Sequence, residues 1–249
     1  MKNWSFSKLS TFEECPKKFR FIYIDKLQGQ IKSDAMAIGE GLHDFIEFYS
    51  LNQAASLEDC QEKYLKTALG ASCLVNPKKA ENMLSLVKWY KESGKVLTPL
   101  RTPNEDKPLT EKWFKLDCGN NIFCNGKIDI VTENHCVVDY KTASKPYTQK
   151  DAEHVLMDKG LQLTVYAAAY HQWFNKMPKK VGFQVILKDK SEIQNIGSSR
   201  TEKDVENVKK YVVRENDRFN HMSELGMFPK GLNPKCFWCN FREECNNEV

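Results

Sequence analysis

Four cysteines, two aspartates, a histidine and a lysine are the residues of this 249-residue chain whose types and spacing could do chemistry. Cys236-Phe237-Trp238-Cys239 is followed by Cys245, and Cys15 stands far away near the N-terminus. Thiolates in a Cys-x2-Cys-x5-Cys run can wrap one soft metal centre, either zinc or an iron–sulfur cluster. With Cys15 as a fourth ligand, such a centre would tie the two ends of the chain together. The other set, His43, Asp129, Asp139 and Lys141, lies between them.

Gly126-Lys127-Ile128-Asp129 and Val137-Val138-Asp139-Tyr140-Lys141 read as two strands joined by a tight turn centred near Asn134. Antiparallel pairing across that turn sets residue 129 opposite 139 and residue 127 opposite 141. Side chains alternate along a strand, so Asp139 and Lys141 share a face, and Asp129 joins them from the facing strand. Two opposed carboxylates repel and weaken a hairpin. A divalent cation between them turns that cost into an attraction, and Mg²⁺ and Mn²⁺ prefer such oxygen ligands. The alternative is a solvated hairpin face on which Lys127 and Lys141 neutralise the aspartates. On these residues alone the two readings stand side by side.

His43 shares a helical stripe with Glu40 and Glu47, at i−3 and i+4. A lone helix histidine is as easily a packed side chain as a ligand. Gly39 and Gly41 cost the helix about 1 kcal/mol each relative to alanine, which suggests a close approach to the backbone. Gln162 and Tyr166 stand at i and i+4 of an apolar helix and can face one cleft. They can equally belong to a core helix, but a buried Gln162 then needs a polar partner.

The elements that must position these groups follow from periodicity. Phe6, Leu9 and Phe12 behind serine start signals predict a short helix that Pro16 ends or bends. Residues 36 to 51 read as a helix with Ile38, Leu42, Phe45, Ile46 and Tyr49 on one stripe. Further helices are expected over 56–69 and 77–92, and a loop over 94–108. Strands are expected over 109–117, 121–131 and 135–142, then a helix over 155–174. Strands over 181–187 and 192–196 and a charged helix over 201–221 complete the series. This order predicts an α/β fold: a mixed sheet covered by helices, with an N-terminal helical annex. We divide a single domain into residues 1–108, mainly helical, 109–225, the sheet and its helices, and 226–249, a tail held by its metal.

Composition narrows the class. Hydrophobic residues at 41% and charged residues at 28% are ordinary for a soluble globular chain. No apolar run approaches the ~20 residues that span a bilayer, and the first residues lack a signal-peptide core. The expectation is a cytoplasmic protein, in host cytoplasm if viral, with no membrane partner. Cys60, Cys73, Cys118, Cys124 and Cys136 sit among apolar neighbours and read as ordinary buried thiols. The net charge of +4 says little, and the pairs Lys17-Lys18, Lys78-Lys79, Lys179-Lys180 and Lys209-Lys210 read singly as solvated surface.

Taken together, these motifs resemble the RecB-like nucleases of the PD-(D/E)XK superfamily. The resemblance is to the branch with a C-terminal iron–sulfur knot, which includes the AddB nuclease domain and CRISPR-associated exonucleases. Gly39-Glu40-Gly41-Leu42-His43 looks like the Gly-x-x-x-His motif, and Gly126 to Asp129 like Gly-x-x-Asp. Asp139-Tyr140-Lys141 matches Asp-x-Lys, Gln162 with Tyr166 matches Gln-x-x-x-Tyr, and the four cysteines match the cluster set.

The resemblance spans residues 5 to 245. It implies a restriction-endonuclease-like core and a metal-dependent DNA exonuclease acting from strand ends. His43, Asp129, Asp139 and the Val138 carbonyl would bind Mg²⁺ or Mn²⁺. Lys141 would orient or help deprotonate the attacking water, and Gln162 and Tyr166 would support the site. Glu111 would be an outer acid. Cys15, Cys236, Cys239 and Cys245 would hold a [4Fe–4S] cluster, for which zinc is the alternative. Phe12, Phe19, Trp113 and Trp238 are candidate stacking surfaces for single-stranded DNA, although any one can be core. The settings implied are recombination and repair, phage DNA metabolism or CRISPR adaptation, with a helicase or integrase partner. A non-catalytic DNA-end-binding subunit and an endonuclease of the same superfamily are the alternatives.

Overall fold

The computed structural model describes residues 1–27, 34–70, 76–102, 106–231 and 233–247. Its strands are β1 (Asn3–Trp4), β2 (Thr110–Gly119), β3 (Ile122–Val131), β4 (Cys136–Ala143), β5 (Lys180–Leu187) and β6 (Glu192–Ser198). They form a mixed six-stranded sheet in the order β1-β3-β4-β5-β6, with β2 on β3. β3 and β4 are antiparallel, with Ile130 opposite Val138 and Val131 opposite Val137, the register expected from the turn. β4 and β5 are parallel, and two parallel neighbours need a long crossover. Helices α7 (Gln149–Glu153) and α8 (Asp158–Phe174) supply it, one piece more than the single helix expected over 155–174.

The remaining helices are α1 (Phe6–Glu14), α2 (Pro16–Tyr23), α3 (Asp34–Leu51), α4 (Leu57–Gly70), α5 (Pro77–Glu81), α6 (Leu84–Glu92), α9 (Glu202–Glu224) and α10 (Arg242–Asn247). Pro16 does more than end α1. It stands at the first position of α2, where its missing N–H costs nothing. Cys15 is therefore the C-cap of one helix and the N-cap of the next, its thiol accepting from Lys18 N. The single helix expected over 77–92 is two, α5 ending at Glu81 and α6 starting at Leu84, with Asn82 and Met83 between them. Within the expected loop, short bridges join Pro99 to Thr132 and Arg101 to Pro108.

The chain gathers into two compact units. One comprises Met1–Gln30, Lys115–Gly126 and Glu206–Val249, the other Ile31–Phe114 and Lys127–Val205. In the first, Trp4, Phe12 and Phe19 are at most 1% exposed and meet in ring pairs at 5.1 to 5.7 Å. Phe219 closes the group, and Trp4 Nε1 donates to Asn216 Oδ1 at 3.2 Å. Phe12 and Phe19 are thus core residues and offer no stacking surface. Lys17, expected on solvated surface, is buried.

Cys118 and Cys124 are buried as expected, and burial pushes the Cys118 thiol up to about 11. Cys60 is buried too, Cys136 is only partly so, and Cys73 lies outside the described residues.

In the second unit, Phe45, Tyr64 and Tyr90 from α3, α4 and α6 pack with Ile130, Tyr140 and Ile186 of the sheet. The glycine signal in α3 has its cause here. A Cβ on Gly41 would lie 2.9 Å from both Ala68 Cβ and Tyr64 O of α4, closer than real contacts allow. Gly39 has only an ordinary contact with Thr142. Gly41→Ala is expected to destabilise the protein by about 1–3 kcal/mol through overpacking, despite alanine's better helix propensity. Urea unfolding measures this, and an unchanged or higher midpoint would refute the close α3–α4 approach. Among the described residues no helix is long and apolar enough to cross a membrane.

Candidate active site

The second unit brings every expected catalytic side chain to one face of the β3–β4 hairpin. Asp139 is 1% exposed. Its Oδ1 accepts from Gln162 Nε2 at 2.8 Å and from Tyr166 OH at 3.3 Å. The other Gln162 N–H is placed to donate to Tyr166 OH, also at 2.8 Å. Gln162 thus has the polar partners its apolar surroundings demand. Tyr166 serves two ends: its ring meets Phe114 edge-on at 5.9 Å, and its hydroxyl faces the aspartate.

Asp139 Oδ2 is different. It is shielded from solvent and is held by the Lys141 ammonium, 2.6 Å away, as an ion pair. Asp129 Oδ2 accepts from the backbone N–H of Tyr140 at 2.8 Å and lies 3.6 Å from His43 Nδ1. Val138, whose carbonyl is a candidate ligand, pairs with Ile130 on one side and Gly182 on the other.

The electrostatics follow from burial and crowding. Burial, then the charge of Asp139, holds the Asp129 carboxyl well above the usual carboxylate range. Burial pulls His43 down, against Asp139, so its imidazole is neutral near pH 7 with a lone pair to give. Burial also opposes the charge of Lys141, but Asp139 and Asp129 outweigh it and keep the ammonium above its ordinary value.

Lys127 does not neutralise the aspartates in the way the solvated-face reading required. It forms an ion pair with Glu111, and that bond raises its pKa. Glu111 itself sits in the left-handed region at φ 45°, a conformation that costs a non-glycine residue about 1 kcal/mol or more. Its charge acts on Asp129, His43 and Glu47.

Two groups at the site carry little sequence signal. One is the Tyr140 backbone N–H, a group every residue but proline has. The other is Glu47, which burial and then Glu111 push up; it was legible only as a stripe-mate of His43.

Among the described residues, no three His, Cys, Asp or Glu side chains stand together as a ready metal-ion site. The chemistry of the donors nevertheless fits a divalent cation. Asp139 Oδ2 is a buried carboxylate oxygen held by the Lys141 ammonium, and the neighbouring carboxylates of Asp129 and Asp139 repel each other.

The cysteine set lies wholly in the first unit. Cys15, Cys236, Cys239 and Cys245 all line one cavity of about 330 Å³, together with Phe21 and Phe241. Gly231 N donates to Cys15 Sγ at 3.2 Å, and Cys236 Sγ lies 3.3 Å from Gly231 O. Only glycine fits at 231, because a Cβ there would lie 2.1 Å from Glu14 O. A short 3-10 helix, Pro234–Trp238, presents Phe237 and Trp238 at 70% and 81% exposure. Trp113, on β2 in the second unit, is 69% exposed.

The profile of the PD-(D/E)XK nuclease superfamily matches residues 3–246, nearly the whole chain. Among curated proteins none matches. Among solved structures, a proposed exonuclease from Eubacterium rectale aligns at TM-score 0.57 and 12% identity, covering 94% of this chain and 87% of that one. A protein named SSO0001 aligns at TM-score 0.44 and 12% identity, covering 100% of this chain and 88% of that one.

Proposed function

The chain belongs to the PD-(D/E)XK nuclease superfamily, and we propose that it is a metal-dependent deoxyribonuclease acting on strand ends. One observation carries this reading: the crowded carboxylates of Asp129 and Asp139 share a face with Lys141, whose ammonium stands 2.6 Å from Asp139 Oδ2. His43, Asp129, Asp139 and the Val138 carbonyl would hold Mg²⁺ or Mn²⁺. When bound, the ion supplies Lewis acidity and a nucleophile at neutral pH.

The protein's own contribution is placement. Gln162 and Tyr166 hold Asp139 Oδ1 and so fix which oxygen faces Lys141. Lys141, held by Asp139, would orient the attacking water and steady negative charge at the scissile phosphate. Trp113 in the second unit and Trp238 in the first are exposed, and each by itself offers a face on which a base can stack.

The four cysteines would hold a [4Fe–4S] cluster that fastens the C-terminal tail to Cys15. All four line one cavity, and zinc, which the same thiolates would satisfy, is the alternative occupant. A helicase or integrase partner would supply the strand ends.

The test uses protein purified without oxygen. It is incubated with end-labelled single- and double-stranded linear DNA and with closed circles, in Mg²⁺, Mn²⁺ or chelator. Metal-dependent loss of linear DNA with circles spared is the expected result, and the label reports polarity. Cut circles would make it an endonuclease. No cleavage by folded, metal-loaded protein would leave a non-catalytic subunit that binds DNA ends.

A further inference from the structure

Arg200, between β6 and α9, is buried at 4% exposure, and among the described residues no carboxylate oxygen accepts a hydrogen bond from it. Its guanidinium is spent on neutral oxygens. Nη2 donates to Ala152 O at 2.7 Å, His154 O at 3.2 Å and Gly160 O at 3.3 Å. Nη1 donates to Ser199 O at 3.1 Å and Nε to Thr164 Oγ1 at 2.8 Å. Burial lowers its pKa, with Asp204 opposing. A buried cation is costly to desolvate, and only the forked five-donor geometry of arginine serves so many acceptors at once.

The acceptors have a pattern. Ala152 and His154 lie at the end of α7, whose terminal carbonyls favour a cation. Gly160 and Thr164 lie in the first turns of α8 and bracket Gln162. The α7–α8 junction is closed tightly, because a Cβ on Gly160 would lie 1.7 Å from His154 O. Thr164 Oγ1 adds a second tie, 2.6 Å from Val155 O. The turn that carries Gln162 is therefore anchored on both sides by the same side chain. Gln162 in turn holds Asp139 Oδ1 at 2.8 Å.

The geometry points to Arg200 as a positioning residue: it anchors the start of α8 so that Gln162 fixes the Asp139 carboxylate. This rests on the nuclease reading for its kinetic consequence, though not for its structural one. Arg200→Lys keeps the charge but offers one ammonium to five oxygens. The expected result is a kcat for DNA cleavage lowered about tenfold with KM unchanged, since small misplacements act on the reacting geometry. In a Gln162→Ala background the same change should add nothing, because both act through one contact. By NMR, the Gln162 side-chain amide protons should exchange faster with solvent in Arg200→Lys, at temperatures where the chain is fully folded.

Equal losses in both backgrounds, or a fall in melting temperature with kcat and amide exchange unchanged, would overturn the assignment. If the parent protein cleaves no DNA, the nuclease reading falls and the amide exchange alone decides for Arg200. If Arg200→Lys does not fold, Thr164→Val, which removes the Nε acceptor, takes its place with the same readouts and the same deciding outcomes.

Discussion

Asp139→Asn is expected to abolish DNA cleavage, lowering kcat/KM by about 10³-fold or more while the fold survives. The estimate combines loss of a metal-binding charge with loss of the ion pair that places Lys141, each worth roughly 10²–10³ in comparable sites. The substitution is close to isosteric, so Oδ1 can still accept from Gln162 and Tyr166. What disappears is the negative charge at Oδ2, 2.6 Å from Lys141. Asp129 should respond in the opposite sense. Its carboxyl loses a repelling neighbour, so its raised pKa should fall toward the usual range, leaving burial as the chief remaining cause. Cleavage assays with circular dichroism as the fold control measure the first effect, and carboxyl NMR titration the second. A variant within tenfold of the parent would remove Asp139 from the chemistry.

Cys15→Ser is expected to have the second-largest effect, on stability more than on chemistry. If the four thiols hold an iron–sulfur cluster, anaerobically prepared parent should show the broad visible absorbance of such a cluster, and the variant should lose most of it. The C-terminal tail then has little left to hold it. Phe241 is its only described residue that is fully buried, and Gly231 loses its bond to the Cys15 sulfur. Structural metal sites of this size supply on the order of 10 kcal/mol of folding free energy. Limited proteolysis should therefore cut near residues 226–235 in Cys15→Ser and spare the parent. Equal protease resistance and no absorbance in either protein would mean that the cysteines pack without a cluster.

Much of the catalytic face was legible because hairpin register is arithmetic. Once a turn near Asn134 is located, residue 129 must oppose 139, and alternation does the rest. Gln162 was legible as a polar residue stranded in an apolar helix, which is a debt some partner must meet. Where the helices break was less so. Pro16 signals an end to α1 and a start to α2 equally well, and only the caps made by Cys15 decide that both happen. The short α7 was missed because its capping box, Thr148 with Asp151, lies outside any apolar stripe. Exposure of aromatics was not readable at all. Phe12 is covered in part by Phe219, more than 200 positions away, as Trp4 is by Asn216, and no local pattern announces such partners.

The first unit is assembled from three separated stretches of chain, and this has a consequence for biogenesis. Trp4 and its hydrogen-bond partner Asn216 are 212 positions apart. At roughly 5–20 residues per second of translation, the N-terminal aromatics wait about 10–40 seconds for the helix that covers them. Meanwhile the stretch from 31 to 205, which supplies all of the second unit, can already have closed. Vectorial synthesis thus leaves Trp4, Phe12 and Phe19 as a nascent apolar segment, uncovered until late. That window is when a holdase chaperone, or a second nascent chain, would find its target.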